Sequence, residues 1–354
     1  MKILINVPPL DKLGGVSNHY KGLKPYWSKD VKYFCIGARK WRTVFFSYYL
    51  VKFFFYLIIY RPDVVMLNPS MARKAIKRDF IYMKIAELFQ CKIVIMFHGF
   101  HVVEISGMEH NIADHLNRCC MIYVLSEDFK RTLQKWGVKT SVVVTTTKVS
   151  DDMIKNFNIA QRKGEIRNIL FLARVTKEKG IFVAIDVFKQ ISMSYQNIHY
   201  TVVGSGEDFA SAKEYADEKR IPNLRFTGAL SGEALIKEFI NADMYLFTSY
   251  HEGMPTSVLE AMAFGLPVIT RPVGGLTDFF KAGKMGYVVD SDSGEDYVDS
   301  FNRLMTDKVA CRQMSHYNYE YAKAHFMASQ IAPRMEEEIK EKCKDSINFI
   351  LTGK

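Results

Sequence analysis

The chain lacks the cysteine spacing of a metal or disulfide protein. Its 354 residues include six cysteines, and none of them form a C-x-x-C pair. Scattered cysteines of this kind indicate reduced thiols in a cytosolic protein, and metal binding through them is not expected. The sequence also contains no internal repeat and no low-complexity run, so neither a repeat architecture nor a disordered tract is expected.

Two further features are missing. The opening residues, MKILINVPPL, have no positively charged n-region and no cleavage site, so they predict a strand and not a signal peptide. No nucleic-acid recognition module appears, although the chain carries a net charge of +10. The positive charge is therefore expected to serve another partner.

The positive charge is concentrated in the first half of the chain. Residues 1–160 hold 24 Lys and Arg against 12 Asp and Glu, whereas residues 161–354 hold 24 against 26. A basic half attracts anionic surfaces, such as acidic lipid or a phosphorylated acceptor. The length allows two domains, each with its own core.

Apolar strand-like runs alternate with helical stretches along the whole chain, which predicts an α/β protein with parallel sheets covered on both faces. The runs divide into two sets of six, separated by the polar link at residues 150–165. The predicted strands lie near residues 2–7, 31–36, 63–67, 92–97, 120–124 and 141–145, and near residues 168–173, 199–203, 223–227, 244–248, 267–270 and 286–289.

An aromatic segment lies between basic residues at Arg39 and Arg61. In its eighteen central positions Lys52 is the sole charge, and half of the positions are aromatic. Three interpretations compete: a core helix packed on the sheet, a helix lying in the plane of a membrane surface, and a membrane span. The central lysine disfavours the span, and the first two can hold together. The predicted membrane contacts are Trp41, Phe45, Phe46, Tyr49, Lys52 and Phe53.

The stretch from Ser249 to Ile269, SYHEGMPTSVLEAMAFGLPVI, carries the strongest functional signal. The stretch follows a buried strand and contains a Gly-Met-Pro turn and an apolar helix whose first residues are small or carry a hydroxyl. This order is typical of an anion site, because the N–H groups of the first helical turn and the helix dipole favour negative charge. Glu260 lies about one turn into this helix and could reach the hydroxyls of a ribose. A lone acid in such apolar surroundings is uncommon without a partner.

The pattern S-x-x-E-G-M-P-x4-E-A-M-A-x-G-x-P-V-I resembles the E-x7-E signature of family 4 retaining glycosyltransferases, which have the GT-B fold. Other matches follow in the family's order between about residues 167 and 290. They are an R-x4-K-G loop with Arg174 and Lys179, a strand and glycine turn ending at Gly204 and Gly206, and a strand at residues 223–228.

The N-terminal half matches more loosely. Gly14 and Gly15 follow the first strand, and His98 follows the strand at residues 92–97, where the family places an active-site histidine. One departure is clear: residues 144–148, Val-Thr-Thr-Thr-Lys, replace the family's usual proline-asparagine-glycine turn.

The resemblance implies a role for each motif residue. Arg174 and Lys179 would neutralise the donor diphosphate, Glu252 would act near the sugar without being a nucleophile, and His98 would contact the donor sugar. Glu260 would bind the ribose. The remaining expected donor contacts are Gly14, Gly15, Gly204, Gly206, Gly253, Met254, Pro255, Thr256 and Ser257.

The resemblance also implies the domain plan. Residues 1–160 would form an acceptor-side Rossmann-like domain, joined by a C-terminal helix at about residues 335–354. Residues 165–334 would form a Rossmann-like domain that binds the nucleotide sugar, with the two domains facing a central cleft. Asp290-Ser291-Asp292 spells a D-x-D motif, but we interpret it as a loop leading into a helix, with Ser293 or Asp292 as the cap. No cofactor and no metal are expected.

The predicted function is transfer of a sugar, with retention of configuration, from a nucleotide diphosphate sugar to a lipid-linked saccharide acceptor at the cytosolic face of the cell membrane. Two alternatives stay open on the sequence. One is a nucleotide-sugar 2-epimerase of the same fold, which needs neither acceptor nor membrane. The other is an inactive sugar-nucleotide-binding scaffold on the membrane. Nucleic acid is not an expected partner.

Overall fold

The computed structural model describes residues 1–11, 14–37, 46–99 and 105–352, with residues 345–352 described by their backbone alone. The chain forms two compact units. The first consists of Met1–Lys148 and Ala328–Lys354, and the second consists of Val149–Met327.

The first unit is built on a six-stranded parallel sheet with the strand order β2-β1-β3-β4-β5-β6. Its strands are short and almost continuously apolar, as expected when both faces of a sheet are covered. They are β1 (Ile3–Val7), β2 (Val31–Cys35), β3 (Val64–Leu67), β4 (Lys92–Met96), β5 (Met121–Val124) and β6 (Val142–Val144).

Six helices of the first unit are described, together with a short 3-10 turn at Lys24–Tyr26. The α5 helix begins in the usual way, because the Ser126 hydroxyl accepts a hydrogen bond from the Phe129 amide at 3.1 Å. The helices are α1 (Gly15–Leu23), α2 (Phe46–Tyr60), α3 (Arg73–Leu88), α4 (Glu109–Leu116), α5 (Glu127–Lys135) and, at the end of the chain, α14 (Ala328–Thr352).

The second unit has a six-stranded parallel sheet with the order β12-β11-β10-β7-β8-β9. Counted from β7, this is the 3-2-1-4-5-6 order of a Rossmann fold. The strands are β7 (Asn168–Leu172), β8 (His199–Val203), β9 (Leu224–Gly228), β10 (Met244–Phe247), β11 (Val268–Thr270) and β12 (Gly286–Val288).

The helices of the second unit cover both faces of that sheet and include the motif helix of the sequence signature. They are α6 (Asp151–Ile154), α7 (Ile181–Ser194), α8 (Phe209–Glu218), α9 (Glu233–Asn241), α10 (Thr256–Ala263), α11 (Leu276–Phe279), α12 (Gly294–Thr306) and α13 (Lys308–His325).

The α/β prediction is confirmed, and each of the twelve predicted strands is present with ends that differ by at most one residue. The signal was strong because buried parallel strands are short runs of apolar, often β-branched residues between polar turns. Ser293 also caps α12 as predicted, since its hydroxyl accepts from the Glu295 amide at 3.2 Å.

The two strand orders determine where ligands can bind. In an open parallel sheet, ligands bind beyond the carboxyl ends of the strands at the point where the order reverses. That point lies between β1 and β3 in the first unit and between β7 and β10 in the second. The segments that follow these four strands contain most of the predicted site residues.

The aromatic segment forms helix α2, which packs one side on the core of the first unit. Phe53, Leu57 and Tyr60 are buried, and the Phe53 ring lies edge-on to Phe34 and Tyr82, with centroids 5.2 and 5.0 Å apart. The prediction that Phe53 contacts a membrane is therefore wrong. It failed because a helix that is apolar on nearly all sides does not show from its sequence which side meets the sheet.

The opposite side of α2 is exposed. Lys52 lies on this side, and Phe46 and Tyr49 are half-buried, while Trp41 and Phe45 lie outside the described residues. Within the described ranges, no helix combines the length and the apolar character that crossing a membrane would require. The exposed apolar residues of α2 are Tyr48, Val51, Phe54, Phe55, Ile58 and Ile59.

Arg162 ties together the ends of two helices in the second unit. Its buried guanidinium donates to the carbonyl oxygens of Phe264 and Phe239 at 2.9 and 2.8 Å, and also to those of Ile240 and Ala242. Burial lowers the pKa of Arg162 to about 10. These carbonyls belong to the ends of α9 and α10, so Arg162 holds the motif helix α10 in place.

We expect Arg162→Met to destabilise the second unit, because several buried carbonyl groups would lose their donor at a cost of about 1–3 kcal/mol for each unsatisfied group. Urea unfolding monitored by circular dichroism measures the effect. The matched control is Arg167→Met, since the Arg167 side chain is exposed and surface changes usually stay within about 0.5 kcal/mol. Equal stability of the two variants would contradict this assignment.

Candidate functional site

Two loops at the carboxyl edge of the second sheet are fastened to each other. The loop after β7 ends at Gly180, whose φ is +71°, and a Cβ there would lie 2.1 Å from the Thr248 carbonyl oxygen. The Thr248 hydroxyl donates to the Gly180 carbonyl at 2.8 Å, and the Tyr250 amide donates to the Glu178 carbonyl at 3.0 Å. Only glycine permits this approach, so the R-x4-K-G loop and the loop after β10 are held together.

That approach places Lys179 beside Glu252. The Lys179 Nζ lies 2.8 Å from the Glu252 Oε1 and 3.0 Å from the His251 carbonyl oxygen. The Ser249 hydroxyl donates to the same Glu252 oxygen at 2.9 Å. The side chains of Lys179 and Glu252 are only 11% and 17% exposed, so this is a partly desolvated ion pair at the edge of the sheet.

Helix α10 begins directly after this pair. Pro255 occupies the N-cap and supplies no capping side chain, an arrangement in which the helix N-terminus can receive an anion. The turn Gly253–Pro255 and the first helical residues, Thr256 and Ser257, therefore lie where the sequence predicted a phosphate contact.

Glu260 lies one turn into α10 and is 8% exposed. Beneath it, the Tyr245 hydroxyl donates to the Leu172 carbonyl at 2.8 Å and is hydrogen-bonded to Ser257. Burial raises the pKa of Tyr245, and the nearby carboxylates of Glu260 and Glu252 raise it further. Both signature glutamates are thus near Tyr245.

Arg174 belongs to the same loop as Lys179, but its side chain is exposed. Its carbonyl oxygen accepts from the Thr176 amide at 3.0 Å, which begins the turn that leads to Lys179. The structure therefore brings Lys179, Glu252 and Glu260 together at the start of α10 and leaves Arg174 at the solvent side of the loop.

Gly204 and Gly206 support the same loop through backbone packing. A Cβ at Gly204 would lie 1.9 Å from the Ala173 carbonyl oxygen, and one at Gly206 would lie 2.2 Å from the Val175 carbonyl oxygen. The close approach of these backbones explains both glycines without a ligand. Their predicted contact with the donor stays a prediction.

Three residues that the sequence analysis missed hold the Glu252 loop. Ser249 bonds to Glu252 and Thr248 fastens the start of this loop to Gly180, as described above, and Gly274, with φ +51°, lies against it. A Cβ at Gly274 would come within 2.3 Å of the Gly253 carbonyl oxygen. The available signal was the position of Thr248 and Ser249 immediately after a buried strand, and the glycine pair at residues 274–275 after the next strand.

The D-x-D motif does not form a cluster of metal ligands. Asp292 pairs with Arg271, with 2.9 Å between the Nη1 and Oδ1 atoms. Among the residues that the structure describes, no group of three or more His, Cys, Asp or Glu side chains is arranged to hold a metal ion. Metal independence stays a prediction.

In the first unit, Gly14 and Gly15 lie at the start of α1, after β1. A Cβ added at either would meet nothing within 4 Å among the described residues. The two glycines leave the backbone accessible from outside, as a ligand-binding turn requires.

His98 follows β4 and is held by a network that the sequence analysis did not predict. Its Nε2 lies 3.0 Å from the Asn68 Oδ1, which also accepts from the Tyr20 hydroxyl at 2.6 Å. The Asn68 Nδ2 donates to the Asn6 carbonyl at 2.8 Å. Because an amide oxygen can only accept, the His98 proton lies on Nε2 and its Nδ1 is an acceptor.

Burial lowers the pKa of His98 to about 3. The His19 ring lies edge-on to it, with 5.1 Å between the centroids. Burial also lowers the pKa of His19 well below its ordinary value, and His98 and Lys148 lower it further. Both rings are therefore neutral at physiological pH.

The low pKa of His98 predicts a loss of stability in acid. The ordinary pKa of histidine is 6.5, so between pH 6.5 and 3 the unfolded chain binds the additional proton. The folded state therefore loses stability as the pH falls below 6.5, and the loss reaches about 2 kcal/mol at pH 5. Urea unfolding at pH 7 and pH 5 should show a smaller pH dependence for His98→Gln than for the wild type; identical dependence would show that the folded protein protonates His98 normally.

Comparison with known proteins bears on this site. Residues 152–321, slightly less than half of the chain, match the family model described as Glycosyl transferases group 1. A 2-deoxystreptamine N-acetyl-D-glucosaminyltransferase from Niallia circulans is 27% identical over 146 residues, which is 41% of this chain and 38% of that protein. A putative colanic acid biosynthesis glycosyltransferase from Escherichia coli (strain K12) is 24% identical over 234 residues, 62% of this chain and 57% of that protein.

The chain thus matches less than two thirds of the length of these curated relatives. A solved structure, that of Anabaena Alr3699/HepE in complex with UDP, covers 96% of this chain and 100% of its own, with a TM-score of 0.76 and 14% identity. At this identity the likeness shows the fold alone. With the two Rossmann-like units, it establishes the GT-B fold, and the second unit carries the sequence pattern of group 1 glycosyl transferases.

Proposed function

We propose that the protein is a retaining glycosyltransferase that moves a sugar from a nucleotide diphosphate sugar to a saccharide acceptor. The second unit binds the donor, and the first unit binds the acceptor. The observation that carries the proposal is the Lys179–Glu252 pair, which is 2.8 Å long and lies beside the N-terminus of α10, with Glu260 one turn further on. The two relatives named above, both described as glycosyltransferases, support the same conclusion.

The chemistry requires that the leaving diphosphate be stabilised as its charge grows. Lys179 supplies an ammonium group on a rigid loop, and Arg174, exposed on the same loop, supplies a guanidinium that can turn towards a phosphate. The N-terminus of α10 adds amide donors and the positive end of its dipole. Three sources of positive potential therefore converge on one edge of the sheet, which makes a metal ion unnecessary.

The two glutamates take different parts. Glu260 is buried within an apolar helix and is suited to accept hydrogen bonds from ribose hydroxyls. Glu252 accepts hydrogen bonds from Lys179 and Ser249, which reduce the nucleophilicity of its carboxylate. Glu252 is therefore suited to orient a sugar hydroxyl and not to attack the sugar. A double-displacement mechanism would need two carboxylates flanking the bond at close range. We therefore favour same-face attack, in which the leaving phosphate takes the acceptor proton.

His98 contributes as a neutral acceptor. Its Nε2 proton is directed to Asn68, and its pKa of about 3 keeps the ring uncharged at any working pH. The remaining nitrogen, Nδ1, can accept a hydrogen bond from a sugar hydroxyl. His98 is thus a binding group and not a general acid.

Lys179→Ala should reduce transfer and donor hydrolysis by about 10²–10³-fold, because it removes a fixed charge at the leaving group. The matched control is Lys177→Ala, an exposed lysine in the same loop, which should retain the wild-type rate. A panel of UDP, GDP, ADP and dTDP sugars, with release of the free nucleotide as the readout, measures both. The proposal fails if the wild type neither binds nor cleaves any of these donors.

The acceptor is proposed to be lipid-linked at the cytosolic membrane face, because α2 presents an apolar face beside basic residues. Tyr48, Val51, Phe55 and Ile59 are exposed along this helix, with Ile59 81% exposed. Lys52 lies among them, and the unit as a whole is basic. Apolar and aromatic side chains next to lysine and arginine are the composition of a helix that lies in the plane of an anionic bilayer.

Replacing Phe55 and Ile59 by serine should weaken binding to vesicles of phosphatidylglycerol and phosphatidylcholine by on the order of 10-fold or more, because two apolar side chains no longer insert. Lys52→Glu should weaken binding mainly to the anionic vesicles. The control replaces two exposed apolar residues of the second unit, Met193 and Val309, by serine. Sedimentation with vesicles is the measurement, and equal sedimentation of all variants would exclude α2 as the membrane contact.

A further inference from the structure

We infer that a cavity in the first unit binds one neutral sugar ring of the acceptor, an inference that rests on the proposed function. The cavity has a volume of about 340 Å³, at the lower end of the roughly 300–1,000 Å³ of small-molecule pockets. The residues on which the inference depends are those of its wall: Asn6, Phe46, Tyr49, Asn68, Arg78 and Tyr82.

The cavity lies where the fold predicts a ligand. Asn6 belongs to β1, and Asn68 follows β3 directly. The strand order of the first sheet reverses between these two strands, so the cavity is at the switch point of the sheet. The aromatic residues come from α2 and α3, which cover that part of the sheet.

Two polar side chains of the cavity wall carry buried atoms that a ligand could pair. The side chain of Asn6 is 0% exposed, and neither its Nδ2 nor its Oδ1 has a hydrogen-bond partner among the described residues. The same holds, within the described part of the chain, for the Arg78 Nε. Each such group costs about 1–3 kcal/mol unless a partner binds it, so the cavity is built for a molecule with several hydroxyl groups.

The charges favour a neutral molecule over an anion. The Arg78 Nη2 lies 2.5 Å from the Asp79 Oδ2, and Asp79 is almost completely buried. The carboxylate therefore already balances the guanidinium, and the Arg78 Nε remains as a donor in the cavity wall. A sugar hydroxyl can accept from this donor, whereas a guanidinium that is already paired with a carboxylate attracts a phosphate or a uronate less strongly.

The aromatic wall supports a sugar in particular. A pyranose has hydroxyls at its rim and an apolar C–H face. Phe46, Tyr49 and Tyr82 supply aromatic surface for such a face, and the two tyrosines add hydroxyl groups. Burial raises the pKa of Tyr82 to about 12, so its hydroxyl keeps its proton and can donate.

Two connections relate the cavity to the rest of the proposed function. Asn68 lines the cavity, and its Oδ1 lies 3.0 Å from the His98 Nε2. A sugar ring in the cavity would therefore contact Asn68, which is hydrogen-bonded to the proposed sugar-binding histidine. Phe46 and Tyr49 lie on α2, whose outer side is the proposed membrane contact. A sugar bound there would be next to the lipid surface that carries its chain.

Saturation-transfer NMR with simple methyl glycosides tests the inference without the unknown acceptor. The probes are the methyl pyranosides of glucose, galactose, mannose, rhamnose and N-acetylglucosamine, with methyl glucuronide as the anionic comparison. We expect at least one neutral pyranoside to receive saturation from the wild type. Asn6→Ala and Tyr49→Ala should reduce that transfer at least five-fold. Leu88→Ala is the control, because Leu88 is an exposed apolar residue of α3 that does not line the cavity, and it should bind as the wild type does.

The competing outcomes are distinct. Unchanged transfer in both cavity variants, stronger transfer to the glucuronide, or no transfer to any neutral glycoside would overturn the inference. Thermal unfolding with UDP, GDP and ADP, run on the same samples, shows whether each variant is folded and binds nucleotide. If a nucleotide stabilises the wild type but no sugar binds, the cavity inference fails and the proposed function stands; if no nucleotide and no donor binds, the proposed function itself fails.

Discussion

The candidate donor site depends on the close approach of two backbones, Gly180 and Thr248. Without this approach the loop after β7 could not lie against the loop after β10, and Lys179 would not reach Glu252. The positive φ of Gly180 and the 2.1 Å that would separate its Cβ from the Thr248 oxygen make glycine obligatory there. Gly274 makes a similarly close backbone approach, to the Gly253 carbonyl oxygen, on the other side of Glu252. The site is thus held by main-chain packing. This packing can persist when a ligand replaces one partner of the Lys179–Glu252 ion pair.

The two units use opposite electrostatic arrangements. In the second unit, charges are gathered at the sheet edge, where a partly desolvated lysine and the start of α10 can meet an anion. In the first unit, burial keeps His98 and His19 neutral, and Arg78 is balanced by Asp79. A charged edge is suited to a diphosphate, whereas a neutral edge rich in hydrogen-bonding groups is suited to a sugar. This division of chemistry fits the proposed sugar transfer, in which the donor is anionic and the attacking group is a hydroxyl.

Much of the fold and part of the site could be predicted from the sequence. Buried parallel strands appear as short apolar runs, so all twelve strands were placed within one residue. The signature turn and helix at residues 252–263 were also identified, because their local geometry depends on glycine, proline and capping positions. The side of α2 that meets the core was not predictable, since Phe53 and Phe55 look alike in sequence. Asn6 and Asn68 were missed for a related reason: nothing near them in the chain marks them as partners.

The sequence by itself determined the secondary structure, the two sets of parallel strands and the identity of the signature loop, because these follow from local periodicity and backbone preference. Only the tertiary structure decided which residues meet. Lys179 and Glu252 are 73 positions apart, and Asn68 and His98 are 30 apart. Their proximity comes from the order of strands in each sheet, which brings the carboxyl ends of distant segments to one edge. A one-dimensional pattern does not encode that distance directly, so the network around His98 and the cavity beside it became visible only in the folded chain.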